Sequence, residues 1–108
     1  MPRTVIVAYR PKPGQEAALQ DVVARHVPVL QACGLATAMP AVTMQAADGT
    51  IVEVFQWASA EAVKQAHHEP AVQALWDEFG RACDFVPLKD LAEAAQMFAE
   101  FEPLGAWQ

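Results

Sequence analysis

Hydrophobic and polar positions change their spacing several times along the chain, and each change marks a new predicted element. The run from Thr4 to Tyr9 (TVIVAY) is rich in β-branched residues and predicts a first strand. Between Gln15 and Cys33 the apolar residues recur at the spacing of one helix face, which predicts an amphipathic helix. Gly34 follows directly, and we expect it to end this helix in the left-handed conformation.

The middle of the chain predicts a β-hairpin. Residues 36–46 and 50–57 form its two strands, and the dipeptide Asp48-Gly49 between them is typical of a two-residue turn. Side chains alternate between the faces of a strand, so Glu53 is expected on the same face as Phe55 and Trp57.

Helical spacing returns in the second half of the chain. Ser59 is placed as the N-cap of a helix over 60–68, and a further helical stripe runs over 70–87. Residues 96–102 (QMFAEFE) alternate and predict the last strand. The order β-α-β-β-α-β predicts an α+β, ferredoxin-like domain, in which a four-stranded antiparallel sheet is backed by helices. A length of 108 residues fits one such domain, 1–108.

The amino-acid composition predicts a second subunit. Hydrophobic residues make up 54% of the chain, more than a small core is expected to bury, and this surplus predicts a homodimer. The net charge is −6: residues 1–47 carry four basic and two acidic side chains, and residues 48–108 carry three and eleven. An acidic domain repels phosphate groups, so we expect no binding to nucleic acid or to anionic membranes.

Targeting signals and metal motifs are not evident in the sequence. Only five apolar residues in a row precede Arg10, too few for a signal peptide, so a cytoplasmic location is expected. Cys33 and Cys83 are then expected to be reduced thiols. Two isolated cysteines and no local ligand spacing predict no metal site.

Glu53 is the most informative candidate for chemistry. A carboxylate in the middle of a strand face that is otherwise apolar costs several kcal/mol unless it is paired or hydrogen-bonded. It is either a general base or ligand anchor, or a structural partner of an Arg or His.

Other polar and aromatic residues lie near the same predicted cleft. His67 is placed on the inner face of its helix and forms, with Glu53, the predicted proton-handling pair. His26 borders the apolar stripe of the first helix. The remaining predicted ligand contacts are Tyr9 and Arg10 at the cleft mouth and Trp57 and Trp76 in its wall.

Five segments together resemble a known superfamily: YRPKPGQE, HVPVLQACGL, ADGTIVEVFQW, SAEAVKQAH and EPAVQALW. Their order and spacing, over residues 4–102, resemble the dimeric α/β-barrel superfamily, and within it the domains of antibiotic-biosynthesis-monooxygenase type. The resemblance implies two sheets packed face to face in a homodimer, with a small-molecule cleft between each sheet and its helices. Oxygenases of this type depend on an Asn in the pocket, and this chain contains no Asn.

The sequence therefore leaves several functions open. The leading hypothesis is an acid–base or cofactor-free, monooxygenase-like enzyme that acts on a small apolar or aromatic compound and needs no cofactor. The alternative is a non-catalytic ligand-binding or structural dimer. Haem binding ranks last, because Trp76 stands about where haem-degrading members present their axial His. Trp107 in the tail is expected either to pack on the partner subunit or to be disordered.

Overall fold

The computed structural model describes residues 1–105, so Trp107 lies outside the described residues. Five strands and three helices follow one another along the chain. The strands are β1 (Arg3–Pro11), β2 (Val42–Gln45), β3 (Ile51–Trp57), β4 (Cys83–Val86) and β5 (Glu102–Pro103). The helices are α1 (Glu16–Ala32), α2 (Ala60–Ala66) and α3 (Pro70–Ala82), and two short 3₁₀ turns lie between β4 and β5.

The strands form a single sheet in the order β4-β1-β3-β2-β5, and every neighbouring pair is antiparallel. The central pair is the longest, with β1 and β3 in register from Arg3 opposite Trp57 to Tyr9 opposite Ile51. The strand β4 is short and pairs with β1 only from Ala8 to Pro11. The first half of β1 therefore has no strand on its outer side within residues 1–105.

Helix α1 matches the sequence prediction. Its buried side chains recur at helical spacing and pack onto the sheet: Leu19, Val22, Val23, His26, Val27 and Leu30. The helix ends at Gly34, whose φ of 73° lets the amide of Leu35 donate to the carbonyl of Leu30 at 2.8 Å. On the outer side of α1, the Arg25 guanidinium binds Glu78 of α3 at 2.6 Å and Asp21 at 2.8 Å. Both contacts raise the pKa of Arg25, and the hydrogen bond with Glu78 has the larger effect.

The predicted hairpin is present, but its loop is one residue longer than predicted. The amide of Gly49 donates to the carbonyl of Ala46, and the amide of Ala46 donates to the carbonyl of Thr50. Only Gly49 has a positive φ, 92°, so the loop is a β-turn followed by one left-handed residue. The Asp48 side chain accepts a hydrogen bond from the amide of Thr50, which lowers the pKa of Asp48. The strand β2 spans only 42–45 of the predicted 36–46.

Two predictions about the second half of the chain are wrong. The helix expected over 70–87 ends at Ala82, and Cys83 begins strand β4 in an extended conformation. The strand expected over 96–102 is replaced by irregular chain, with only Glu102–Pro103 paired to β2. The first error arose because Phe79, Cys83 and Val86 continue the helical spacing, whereas residues 83–86 pair with β1 as a strand. The sheet therefore has five strands rather than four.

The two faces of the sheet are covered differently. The helices pack on one face. On the other face, Leu91 and Phe101 from the chain after β4 cover Ala8 and Val52. The neighbouring Ile6 on that second face is 54% exposed. No helix within the described residues is long and apolar enough to cross a membrane.

The end of α1 gives a first testable prediction. Gly34→Ala should lower the free energy of unfolding by about 1–2 kcal/mol, because its φ lies in the region that residues with a Cβ avoid. Gly80→Ala is the matched control, because Gly80 lies inside α3 with open space around it. This variant should raise the free energy of unfolding by up to about 1 kcal/mol. Urea denaturation of both variants measures the difference, and equal effects would contradict this account of the helix end.

Candidate functional site

Glu53 lies in the centre of the sheet and is completely buried. It sits in the middle of β3, opposite Val7 on β1 and Thr43 on β2, with its side chain on the face that α1 covers. Its exposed fraction is 0%. A carboxylate in such a place is stable only with hydrogen-bond donors around it, and the structure supplies two of them.

Both donors converge on one carboxylate oxygen. The Tyr9 hydroxyl donates to Glu53 Oε1 at 2.7 Å, and Nδ1 of His26 lies 2.8 Å from the same atom. The other oxygen, Oε2, is fully enclosed and has no hydrogen-bond partner within residues 1–105. An ionised carboxylate only accepts hydrogen bonds, so with ionised Glu53 the proton of a neutral His26 is on Nδ1.

Tyr9 holds the β1 side of this arrangement. Its ring stacks on Phe79 of α3, with centroids 4.7 Å apart, and its exposed fraction is 1%. Burial, followed by the neighbouring charge of Glu53, raises the pKa of the Tyr9 phenol far above its ordinary value. Tyr9 is therefore a proton donor to Glu53 throughout the physiological pH range.

His26 connects the buried carboxylate to a cavity. The ring projects from α1 and makes edge-to-face contacts with Phe55 at 5.2 Å and with Phe79 at 5.0 Å. Its second nitrogen, Nε2, has no hydrogen-bond partner within residues 1–105 and is not among the fully enclosed polar atoms. Because the ring also forms part of a cavity wall, we assign Nε2 as the basic atom that faces the cavity.

The cavity has a volume of about 240 Å³ and lies between the sheet and the helices α1 and α3. Two valines, His26 and six aromatic rings line it. The aromatic residues are Tyr9, Phe55, Trp57, Trp76, Phe79 and Phe85. An apolar wall that converges on one or two polar atoms is the usual form of a small-molecule site.

The predicted site residues fall into two groups. Tyr9, His26, Trp57 and Trp76 line this cavity, and Glu53 lies directly behind it. Arg10 does not: it follows Tyr9 and so points to the opposite face of β1, where its guanidinium lies 3.8 Å from Asp48.

The predicted pairing of Glu53 with His67 is not formed. Helix α2 ends at Ala66, and His67 is an exposed residue at its C-terminal end. The His67 ring instead makes an edge-to-face contact with the cavity residue Trp76, with centroids 4.9 Å apart. His26, which the sequence placed at the edge of its apolar stripe, holds the position expected of His67.

Five lining residues were not among the predicted site residues: Val5, Val7, Phe55, Phe79 and Phe85. Of these, Phe85 also lies in an element that the sequence prediction assigned wrongly. It lies on β4 opposite Tyr9 and is 59% exposed, so it stands at the mouth. The sequence prediction placed Phe85 in a helix that continued to residue 87, so it did not predict that Phe85 would pair with β1. The alternation of Cys83, Asp84, Phe85 and Val86 before Pro87 was the available signal for a strand.

A larger hollow of about 470 Å³ lies elsewhere, between the hairpin loop and the chain after β4. Its acidic side chains are Glu93, Glu100 and Glu102, none of which is buried, and Glu93 already accepts a hydrogen bond from the amide of Ala47. Within residues 1–105 no group of three His, Cys, Asp or Glu side chains could hold a metal ion. The buried polar groups at the smaller cavity make it the stronger candidate.

Tyr9 is the only tyrosine, so its titration can be observed directly. A folded-state pKa raised above the unfolded value of about 10 stabilises the fold below that pH, and the stabilisation is lost as the pH rises further. We expect tyrosinate absorbance to appear only together with loss of the folded circular-dichroism signal. The urea-unfolded protein should titrate near pH 10 as the control. Tyrosinate formed near that pH in the folded protein would contradict the buried hydrogen bond.

Comparison with known proteins finds no family model that matches this chain, and no significantly similar curated protein or solved structure.

Proposed function

We propose that this protein binds a small apolar or aromatic compound in the cavity beside His26 and catalyses a proton transfer from that compound to His26 and back. The observation that carries the proposal is the chain of hydrogen bonds from Tyr9 and Glu53 to His26, whose ring lines an aromatic cavity. A buried carboxylate that holds one nitrogen of a histidine fixes the ring and leaves the other nitrogen as a general base.

The roles of the residues follow from their positions. His26 Nε2 removes a proton from a C–H bond next to a carbonyl or from a hydroxyl of the ligand, and becomes an imidazolium. Glu53 accepts the Nδ1 hydrogen bond and stabilises that positive charge, while Tyr9 keeps the carboxylate in place. Return of the proton to the ligand completes an isomerisation or an exchange. A cofactor-free oxidation of a phenol would begin with the same deprotonation.

We also propose that the α+β fold is ferredoxin-like. Four of the strands have the order β4-β1-β3-β2, and helices connect β1 to β2 and β3 to β4, which is the arrangement of a split βαβ unit. The short strand β5 is an addition at the β2 edge. The resemblance to dimeric α/β barrels therefore remains the proposed relationship for this chain.

A homodimer is part of the proposal. Ile6, Val54 and Val42 lie side by side across three strands on the face that the helices do not cover. Ile6 is 54% exposed, and the other two are half-buried. A second copy packed on this face would bury the strip, as the face-to-face sheets of the resembling superfamily do.

A non-catalytic role is the alternative, and one observation favours it. Glu53 does not itself line the cavity, and both of its hydrogen bonds end on Oε1, as they would in a buried network that only fixes the helix on the sheet. In that case Glu53→Gln mainly lowers the free energy of unfolding, since breaking a buried network is destabilising.

Proton abstraction can be tested with β-tetralone, a flat ketone with acidic C–H bonds next to its carbonyl. We expect the protein to catalyse deuterium incorporation from D₂O, measured by NMR. His26→Ala should slow it by about 100-fold or more, which is the usual contribution of a general base. Glu53→Gln should slow it by at least about tenfold while the protein stays folded.

His68→Ala is the matched control for this experiment, because His68 is an exposed histidine that does not line the cavity, and its loss should leave the exchange rate unchanged. Bound β-tetralone that exchanges only at the buffer rate would contradict the enzymatic proposal. A Glu53→Gln variant that loses stability but no activity would favour the structural role.

The dimer can be tested by light scattering at micromolar protein concentration. We expect twice the chain mass of 11.7 kDa for the wild-type protein. Ile6→Lys should give a folded monomer, because it places a charge in the centre of the proposed interface. Gln65→Lys on the exposed side of α2 is the control and should stay dimeric. A wild-type monomer would refute the proposed interface.

A further inference from the structure

The cavity beside His26 has an unusual charge distribution. None of its nine lining residues is a lysine or arginine, and its other side chains are valines and aromatic rings. The Glu53 carboxylate lies behind the cavity wall, with Oε1 2.8 Å from Nδ1 of His26. A ligand therefore faces one basic nitrogen with a carboxylate behind it.

The tautomer of His26 decides what this nitrogen can bind. When Nδ1–H donates to an ionised Glu53, the neutral ring presents only a lone pair at Nε2. A hydroxyl or N–H group of a ligand can donate to that lone pair. A ligand carboxylate cannot donate to that lone pair, because two hydrogen-bond acceptors would then face each other in the apolar cavity.

No lysine or arginine within residues 1–105 lines the cavity. Arg3 shares the inner face of β1 with Val5 and lies opposite Trp57, but its side chain is exposed. Arg10 points to the other face of the sheet and lies beside Asp48. Arg25 binds Asp21 and Glu78 on the outer side of α1. An anion in the cavity would have to bring an additional proton to His26, whereas a neutral donor would not.

The volume limits the size of the ligand. A buried apolar cavity of about 150 Å³ is sufficient for benzene. The cavity here, about 240 Å³, accepts a substituted ring or a small fused ring system. Its aromatic walls favour a flat molecule, since rings pack well in stacked and edge-to-face arrangements.

We propose that this cavity selects uncharged aromatic molecules with one hydroxyl or N–H donor, which binds His26 Nε2, and that it rejects carboxylates of the same shape. This selectivity rests on the proposed function, because it concerns the same cavity. For a ligand with a hydroxyl group, the donor is also the group that His26 would deprotonate, whereas a ketone such as β-tetralone would present an acidic C–H bond to the same nitrogen.

Three probes of the same shape test the selectivity: para-cresol, toluene and para-toluate. At pH 8 the cresol is neutral, because its pKa is near the phenol value of about 10, and the toluate is ionised. NMR titration of the wild-type protein should show para-cresol binding roughly fivefold more tightly than toluene, the value of one hydrogen bond. Para-toluate should bind at least about tenfold more weakly than para-cresol.

Two variants assign this selectivity to its residues. His26→Phe should reduce the affinity for para-cresol to that for toluene, because the acceptor is lost while the aromatic wall remains. Glu53→Gln removes the carboxylate charge with little change of shape. In this variant the affinity for para-cresol should exceed that for para-toluate by only about twofold. Circular dichroism identifies any variant that fails to fold, and the wild-type comparison of the three probes stands without the variants.

The outcomes separate the two proposals. Equal binding of para-cresol and para-toluate to the wild-type protein overturns the selectivity and leaves the proton-transfer proposal in place. Selective binding of para-cresol together with no exchange of bound β-tetralone overturns the proton transfer and leaves the selectivity in place. If neither β-tetralone nor any of the three probes shifts the resonances of the lining residues, both are overturned.

Discussion

The burial of the Glu53 carboxylate is the constraint on which the arrangement of the sheet and α1 depends. A charge removed from water costs several kcal/mol in a folded protein unless donors surround it. The donors are Tyr9 from β1 and His26 from α1, so the carboxylate on β3 fixes three elements relative to one another. The same contacts fix the His26 ring, which forms part of the cavity wall, so the stability of the fold and the shape of the cavity depend on the same residues.

Regular periodicity made part of this structure predictable from sequence. The first strand, the helix α1 and the hairpin follow from patterns within single segments, and a buried carboxylate at Glu53 follows from alternation along β3. The end of α3 was not predictable in the same way, because Phe79, Cys83 and Val86 fit a continuing helical face as well as the observed strand.

The partner of Glu53 illustrates a different limit. His26 and His67 each adjoin an apolar helical stripe, and sequence spacing assigns a face within a helix but not the crossing of that helix over a sheet. The sequence favoured His67, but α2 ends at Ala66, one residue before it. His67 therefore lies at the exposed end of the helix and not on its buried face. His26 lies in the middle of α1, where the helix passes directly over Glu53.

The direct junction between α3 and β4 has a mechanical consequence. Ala82 ends the helix and Cys83 begins the strand, so no linker exists there that could absorb a displacement of either element. Trp76 and Phe79 on the helix and Phe85 on the strand therefore belong to two elements joined without a linker. We expect a displacement of α3 away from His26 to pull on the ladder between β4 and β1, which is four residues long. Widening of the cavity by movement of the helix would then also loosen the edge of the sheet.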